Sequence, residues 1–115
     1  MIEDNKTRQA VMLDGVDGDT FDASMVLLNL GKHYLLPLIW RIRLTIIDTP
    51  ERGEEGYKEA TDFTKQFVGQ PIALVIHKME PHGRILADAY VMYEGKQENL
   101  SSLLLQKGLA KVYGK

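Results

Sequence analysis

The chain has 115 residues, 44% hydrophobic and 26% charged, enough for one packed domain over 1–115 and too apolar for a disordered one. The absence of cysteine excludes a disulfide framework and any thiolate metal site. Fourteen Lys and Arg against sixteen Asp and Glu leave a net charge of −2, a poor footprint for gripping nucleic acid through a broad basic face, so any phosphate site must be locally positive.

The opening "MIEDNKTRQ" has no basic cluster followed by an apolar run, so no signal peptide is expected, and no apolar stretch approaches about 18 residues. The compartment stays open. The first half of the chain reads as strands. "TFDASMVLLNL" alternates Phe21, Ala23, Met25 and Leu27 against Asp22 and Ser24, the period of a half-buried strand. "NLGKHY" supplies a glycine-containing turn, and 34–47 forms the return strand, with Pro37 marking an edge or a bulge.

"GYKEATDFTKQFVG" places Ala60, Phe63 and Phe67 on one helical face and stops at Gly69. "PIALVIHKM" (71–79) and "RILADAYVMY" (84–93) are strand-like and joined by the turn "EPHG". In "NLSSLLLQKG", Asn99 caps a helix whose buried stripe is Leu100, Leu103 and Leu104, and Gly108 ends it. Five strands with a helix after the third suggest a mainly β fold, a small closed barrel of the OB type. Alternation alone also permits a different α+β sheet.

Strand parity places two aspartates together. On the 40–48 strand the inward row is Trp40, Ile42, Leu44 and Ile46, and Asp48 continues it. Asp19 continues the inward row of Phe21, Ala23 and Met25 backwards by one step. If these strand ends share a rim, the two carboxylates converge and repel unless a proton or cation lies between them. A hard cation with oxygen ligands, Ca²⁺ or Mg²⁺, is the economical solution. Arg43 lies on the polar face with Arg41 and Thr45, and Arg84 begins a strand whose apolar face excludes it. Two arginines beside a metal suit a phosphate, since each guanidinium makes paired charge-assisted hydrogen bonds.

Each fragment taken alone has a plain structural reading. "DGDT" is a common turn, Asp48-Thr49-Pro50-Glu51 a strand exit, and an outward arginine usually serves solubility. Glu54 and Glu55 read as an exposed acidic loop without a role, and His33, His77 and His82 lack zinc-ligand spacing. Only the combination is specific.

That combination resembles the staphylococcal nuclease (thermonuclease) family. The matching stretches are "VDGDTF" (16–21), "RLTIIDTPE" (43–51), "GYKEATDFTKQFV" (56–68), "HGRILADAY" (82–90) and "ENLSSLLLQKGLAKV" (98–112), in the family's order. The resemblance implies an OB-type five-stranded barrel with helices, and calcium held by Asp19, Asp48 and the main-chain carbonyl of Thr49. It implies Glu51 as general base or positioner of the attacking water, and Arg43 and Arg84 on the scissile phosphate. The implied activity is calcium-dependent hydrolysis of single-stranded DNA or RNA to 3′-phosphate ends.

The chain departs from the family pattern in several places. The hairpin between Asp19 and Arg43 is longer and its "HYLLPLIW" is unusually apolar, which suggests a self or protein contact through 34–40. The loop after Glu51 is shorter. Glu80 and His82 stand where the family commonly has an aspartate and a base-stacking tyrosine. Tyr113-Gly114-Lys115 comes where the staphylococcal enzyme continues into a further helix. The alternative to an enzyme is a nuclease-like barrel that binds nucleic acid or a protein without cleaving.

Overall fold

The structure is a computed structural model that describes residues 7–29 and 35–113. The chain begins with β1 (Thr7–Asp17) and β2 (Thr20–Asn29), which pair antiparallel across the turn at Gly18. β1 is the barrel strand with the weakest sequence pattern. Val11 and Leu13 are exposed beside buried Ala10 and Met12, and two register shifts interrupt its pairing with β2.

β3 (Leu35–Leu44) runs antiparallel to β2, with Ile42 opposite Phe21 and Arg43 opposite Thr20. Pro37 stands between the paired Leu36 and Leu38, opposite a register shift between Met25 and Leu28. A bulge there spares the ladder donor that proline lacks, as its sequence position suggested. Residues 30–34 lie outside the described residues, and nothing in the structure tests the contact expected through 34–40. Ile39 is 71% exposed, whereas the Trp40 indole Nε1 donates to the Met25 carbonyl at 3.1 Å.

The strand expected over 34–47 breaks early. Thr45 and Ile46 form a bend in which Ile46 has φ of 65°, a left-handed conformation that a β-branched residue rarely takes. The bend shifts the alternation by one. Ile46, expected to face inward, is 65% exposed, and Ile47 is buried in its place. The chain resumes as β4 (Ile47–Asp48), which pairs with β8 (Lys111–Val112) near the end of the described residues.

α1 (Tyr57–Lys65) starts after Gly56, whose φ of 89° lets the backbone turn into the helix without a side-chain cap. Ala60 is buried as expected, and Phe67 is buried in the turn just past the helix end. β5 (Pro71–Met79) and β6 (Arg84–Tyr93) form an antiparallel pair, and β7 (Lys96–Asn99) extends it. α2 (Leu100–Gln106) follows directly, with the Asn99 side-chain oxygen Oδ1 accepting from the Ser102 amide at 3.1 Å.

The strand order is β3-β2-β1-β5-β6, and a parallel pairing of β3 with β6 closes it, Ile42 lying opposite Ile85 and Leu44 opposite Ala87. This is a closed five-stranded barrel with two helices, the OB-type architecture that the sequence suggests. One apolar cluster fills it. Phe21, Ala23, Ile42, Leu74, Ile85 and Ala89 are fully buried, joined by Leu100, Leu103 and Leu104 of α2. Each large side chain of this set contributes about 1.5–3 kcal/mol by leaving water. Among the described residues no helix follows α2, and none is long and apolar enough to cross a membrane.

Candidate active site

The β1–β2 turn is clamped before any ligand is considered. A Cβ on Gly18 would meet the Ala60 Cβ at 2.8 Å and the Thr49 Cγ2 at 2.9 Å, so only glycine fits between α1 and the 48–50 segment. The buried Thr64 hydroxyl of α1 donates to the Gly18 carbonyl at 2.6 Å. The Asp19 carbonyl accepts from the Leu44 amide at 2.9 Å, which ties the turn to the end of β3. With the backbone fixed, the buried Asp19 carboxylate is oriented by the Thr20 hydroxyl at 2.9 Å and the Thr49 amide at 3.0 Å.

Arg43 was expected on a solvated face. Its side chain is instead 13% exposed and folds towards the strand end. Nη1 donates to the carbonyls of Leu44 at 2.5 Å and Ile47 at 2.9 Å. Nη2 reaches Asp48 Oδ1 at 2.6 Å and Asp19 Oδ2 at 3.6 Å. The bend at Ile46 is the reason, because it brings the Ile47 carbonyl and Asp48 back over Arg43. Asp19 and Asp48 do converge, and the cationic atom between them here is a guanidinium nitrogen. The ring of Tyr113 lies 6.0 Å from the Arg43 Cζ, and the Tyr113 amide donates to the Ile46 carbonyl at 2.6 Å. The sequence reading gave Tyr113 no role.

Arg41, two residues earlier, is different. Its Nε and Nη2 donate to the two oxygens of Asp22 at 2.9 and 3.3 Å, and its side chain is 52% exposed. Arg84, across the barrel seam, donates through Nε to Glu80 Oε1 at 2.6 Å. That bond raises the Arg84 guanidinium further above its usual pKa and holds the Glu80 carboxyl below the usual glutamate range.

Glu51 is exposed at the start of a turn in which its amide donates to Glu54 Oε1 at 2.6 Å and the Glu54 amide donates to its carbonyl at 2.8 Å. Glu54, which the sequence reading left without a role, therefore ties down the backbone that carries Glu51. No periodic signal marks such a contact.

These groups line one cleft of about 420 Å³, in which Asp19, Arg43, Asp48, Thr49, Glu51 and Arg84 all take part. Asp17, Glu54 and Lys111 line it as well, and none of the three was singled out from the sequence. An adjoining hollow of about 460 Å³ shares Asp48, Thr49, Pro50, Glu54 and Lys111 but lacks Asp19 and both arginines, so the full set of candidate residues belongs to the first.

The donors at the convergence point are oxygens, which suits a hard cation. Two carboxylates already share one positively charged atom, and the buried Thr49 hydroxyl oxygen beside them has no hydrogen-bond partner. Among the described residues no group of three or more His, Cys, Asp or Glu side chains is gathered around one point. A cation here would therefore rely on two side-chain carboxylates, with main-chain and solvent oxygens completing its shell. His77 is paired with Asp88 at 2.8 Å and His82 lies exposed in the β5–β6 turn, both apart from this point.

In comparisons with known proteins, a family model described as staphylococcal nuclease homologue matches residues 41–115. The match contains Arg43, Asp48, Thr49, Glu51 and Arg84, while Asp19 lies before its start. A search of curated proteins returned no match.

Proposed function

The chain belongs to the staphylococcal nuclease homologue family, and from that premise we propose that it is a calcium-dependent nuclease that hydrolyses phosphodiester bonds of single-stranded DNA or RNA to 3′-phosphate ends. The observation that carries this reading is the meeting of Asp19 and Asp48 on one cationic nitrogen, in a cleft also lined by Glu51 and Arg84.

Calcium would be held by the Asp19 and Asp48 carboxylates and the Thr49 carbonyl, and when bound it would supply positive charge against the phosphate. The remaining steps belong to side chains of the chain itself. Glu51 takes a proton from the attacking water, whose oxygen bonds to phosphorus. Arg43 and Arg84 donate hydrogen bonds to the phosphoryl oxygens as negative charge builds on them. The bond from phosphorus to the 5′ oxygen breaks, and that oxygen takes a proton from solvent. A 3′-phosphate and a 5′-hydroxyl result.

One observation favours a non-cleaving barrel that binds nucleic acid or a protein. Both arginines already have carboxylate partners of their own, Asp48 for Arg43 and Glu80 for Arg84, so a phosphate must displace or share them. Glu51→Gln separates the two readings, because it keeps size and hydrogen bonding while removing the basic oxygen. Affinity for a non-hydrolysable nucleotide in calcium is expected to stay nearly constant while turnover falls by about 10²–10⁴. Full turnover in the variant removes Glu51 from the reaction. Binding without turnover in the unaltered protein selects the non-cleaving reading.

A further inference from the structure

We propose that the groove between β1 and α1 is a second phosphate subsite, which carries a single-stranded polynucleotide onward from the catalytic cleft. The inference takes its ligand class from the nuclease reading above and adds a path and residues to it.

The groove holds about 440 Å³, and at two places residues next to each other in the chain line it and the catalytic cleft. Asp17 lines the cleft and Val16 the groove; Glu51 lines the cleft and Arg52 the groove. In this proposal a strand leaving the cleft crosses β1 at Asp17 and Val16 into the groove.

Charge selects this exit over the other. The cleft presents five carboxylates against Arg43, Arg84 and Lys111, and the adjoining hollow sets Asp48, Glu54 and Glu55 against Lys111 alone. Of these three concavities the groove alone reverses the balance, with Arg52, Lys58 and Lys65 against Asp14 and Asp62. Lys58 is bound to Asp62 at 2.7 Å, which leaves Arg52 and Lys65 facing Asp14. Among the described residues neither Arg52 nor Lys65 has a carboxylate within ion-pairing distance. In a protein with a net charge of −2, this is the local positive surface that a polyanion requires.

Both cations are seated on the groove walls. A Cβ at Gly15 would lie 2.6 Å from the Lys65 Cγ, so β1 has glycine where the lysine stem crosses it. The Arg52 guanidinium stands 5.9 Å from the centre of the Tyr57 ring, and the Tyr57 hydroxyl donates to the Val16 carbonyl at 3.2 Å. Two anchored cations suit a backbone phosphate, which needs no base-specific contact.

The test is fluorescence anisotropy with labelled oligothymidylate of about eight nucleotides and with a thymidine dinucleotide, in chelator so that neither is cleaved, across a series of potassium chloride concentrations. Each phosphate contact to a single strand adds about 0.7 to the slope of log affinity against log salt. The double variant Arg52→Ala/Lys65→Ala is expected to lower the octamer slope by about 1.4 and to leave dinucleotide binding unchanged. Arg52→Lys/Lys65→Arg should restore the octamer slope, and equal urea midpoints establish that all three proteins are folded. An unchanged octamer slope in the double variant, an equal loss for the dinucleotide, or no octamer binding in the unaltered protein overturns the subsite. Cleavage in calcium is scored separately, so a nuclease without this subsite and a binder without nuclease activity give different results.

Discussion

Arg41 and Arg43 lie two positions apart on β3, so strand periodicity treats them as equivalent. Arg41 is held at the surface by both oxygens of Asp22, while Arg43 is drawn in among two backbone carbonyls, Asp48 and Asp19. Removing a preorganised donor that meets the transition state costs about 10²–10³ in kcat, and Arg43→Ala is expected to fall in that range. Arg41→Ala should change kcat by less than about threefold, since a surface ion pair contributes little. Equal losses in steady-state assays of the two variants would mean that general charge, rather than a clamp, is responsible. Strand parity brought Asp19 and Asp48 together on paper, but it reached Asp48 through an inward Ile46 that the bend turns out to solvent. It could not reveal the inward fold of Arg43 or the contact of Glu54 with the Glu51 amide, because both depend on where bends place single carbonyls and amides.

Glu80 is a residue-scale effect with a pH signature. The hydrogen bond from Arg84 favours the ionised carboxyl, so its pKa in the folded chain lies below the unfolded value of about 4.3. The pair therefore adds stability that is fully present above the unfolded pKa and is lost as pH falls through the lower folded value. Carboxyl NMR is expected to give Glu80 a midpoint below the usual glutamate range, and Arg84→Gln should return it upward. A midpoint unmoved by Arg84→Gln would mean that the ion pair does not form in solution.

At the scale of elements, legibility followed the strength of local signals. Both helices were marked by apolar spacing; α2 starts after Asn99 as expected, whereas α1 ends at Lys65, four residues before Gly69, and leaves Phe67 in the turn that follows. β5 and β6, joined by a short turn, kept their expected limits. β3 ended earlier than 47 because Ile46 takes a left-handed backbone that composition cannot announce, and β4, β7 and β8 are too short to leave a period. The contact that matters most to the site is between elements, where α1 presses Ala60 and Thr64 against Gly18. Gly18→Ala places a methyl group where none fits and is expected to destabilise the fold by about 1–3 kcal/mol, read from urea unfolding. It should also weaken calcium binding, because Asp19 is the next residue. A variant as stable as the unaltered protein, with calcium affinity intact, would show that the turn has slack.

For the whole molecule, the closed barrel was legible as a class, because five strands of this length with an inserted helix have few ways to bury one face each. The parallel seam of β3 against β6 was not legible, yet it sets Arg84 opposite Arg41, two residues before Arg43. The net charge of −2 is also informative only at this scale. Carboxylates concentrate in the candidate cleft, where a cation is expected to offset them, and the groove lined by α1 has a positive balance. The central claim, that the cleft hydrolyses phosphodiesters with calcium, is tested most directly by one measurement: cleavage of end-labelled single-stranded DNA with calcium and again with a chelator, with analysis of the product ends. The account expects fragments ending in 3′-phosphate with calcium, intact strands with chelator, and intact strands in both conditions for Asp19→Asn/Asp48→Asn. Cleavage that persists in chelator or in that double variant, or intact strands from the unaltered protein in calcium, would contradict it.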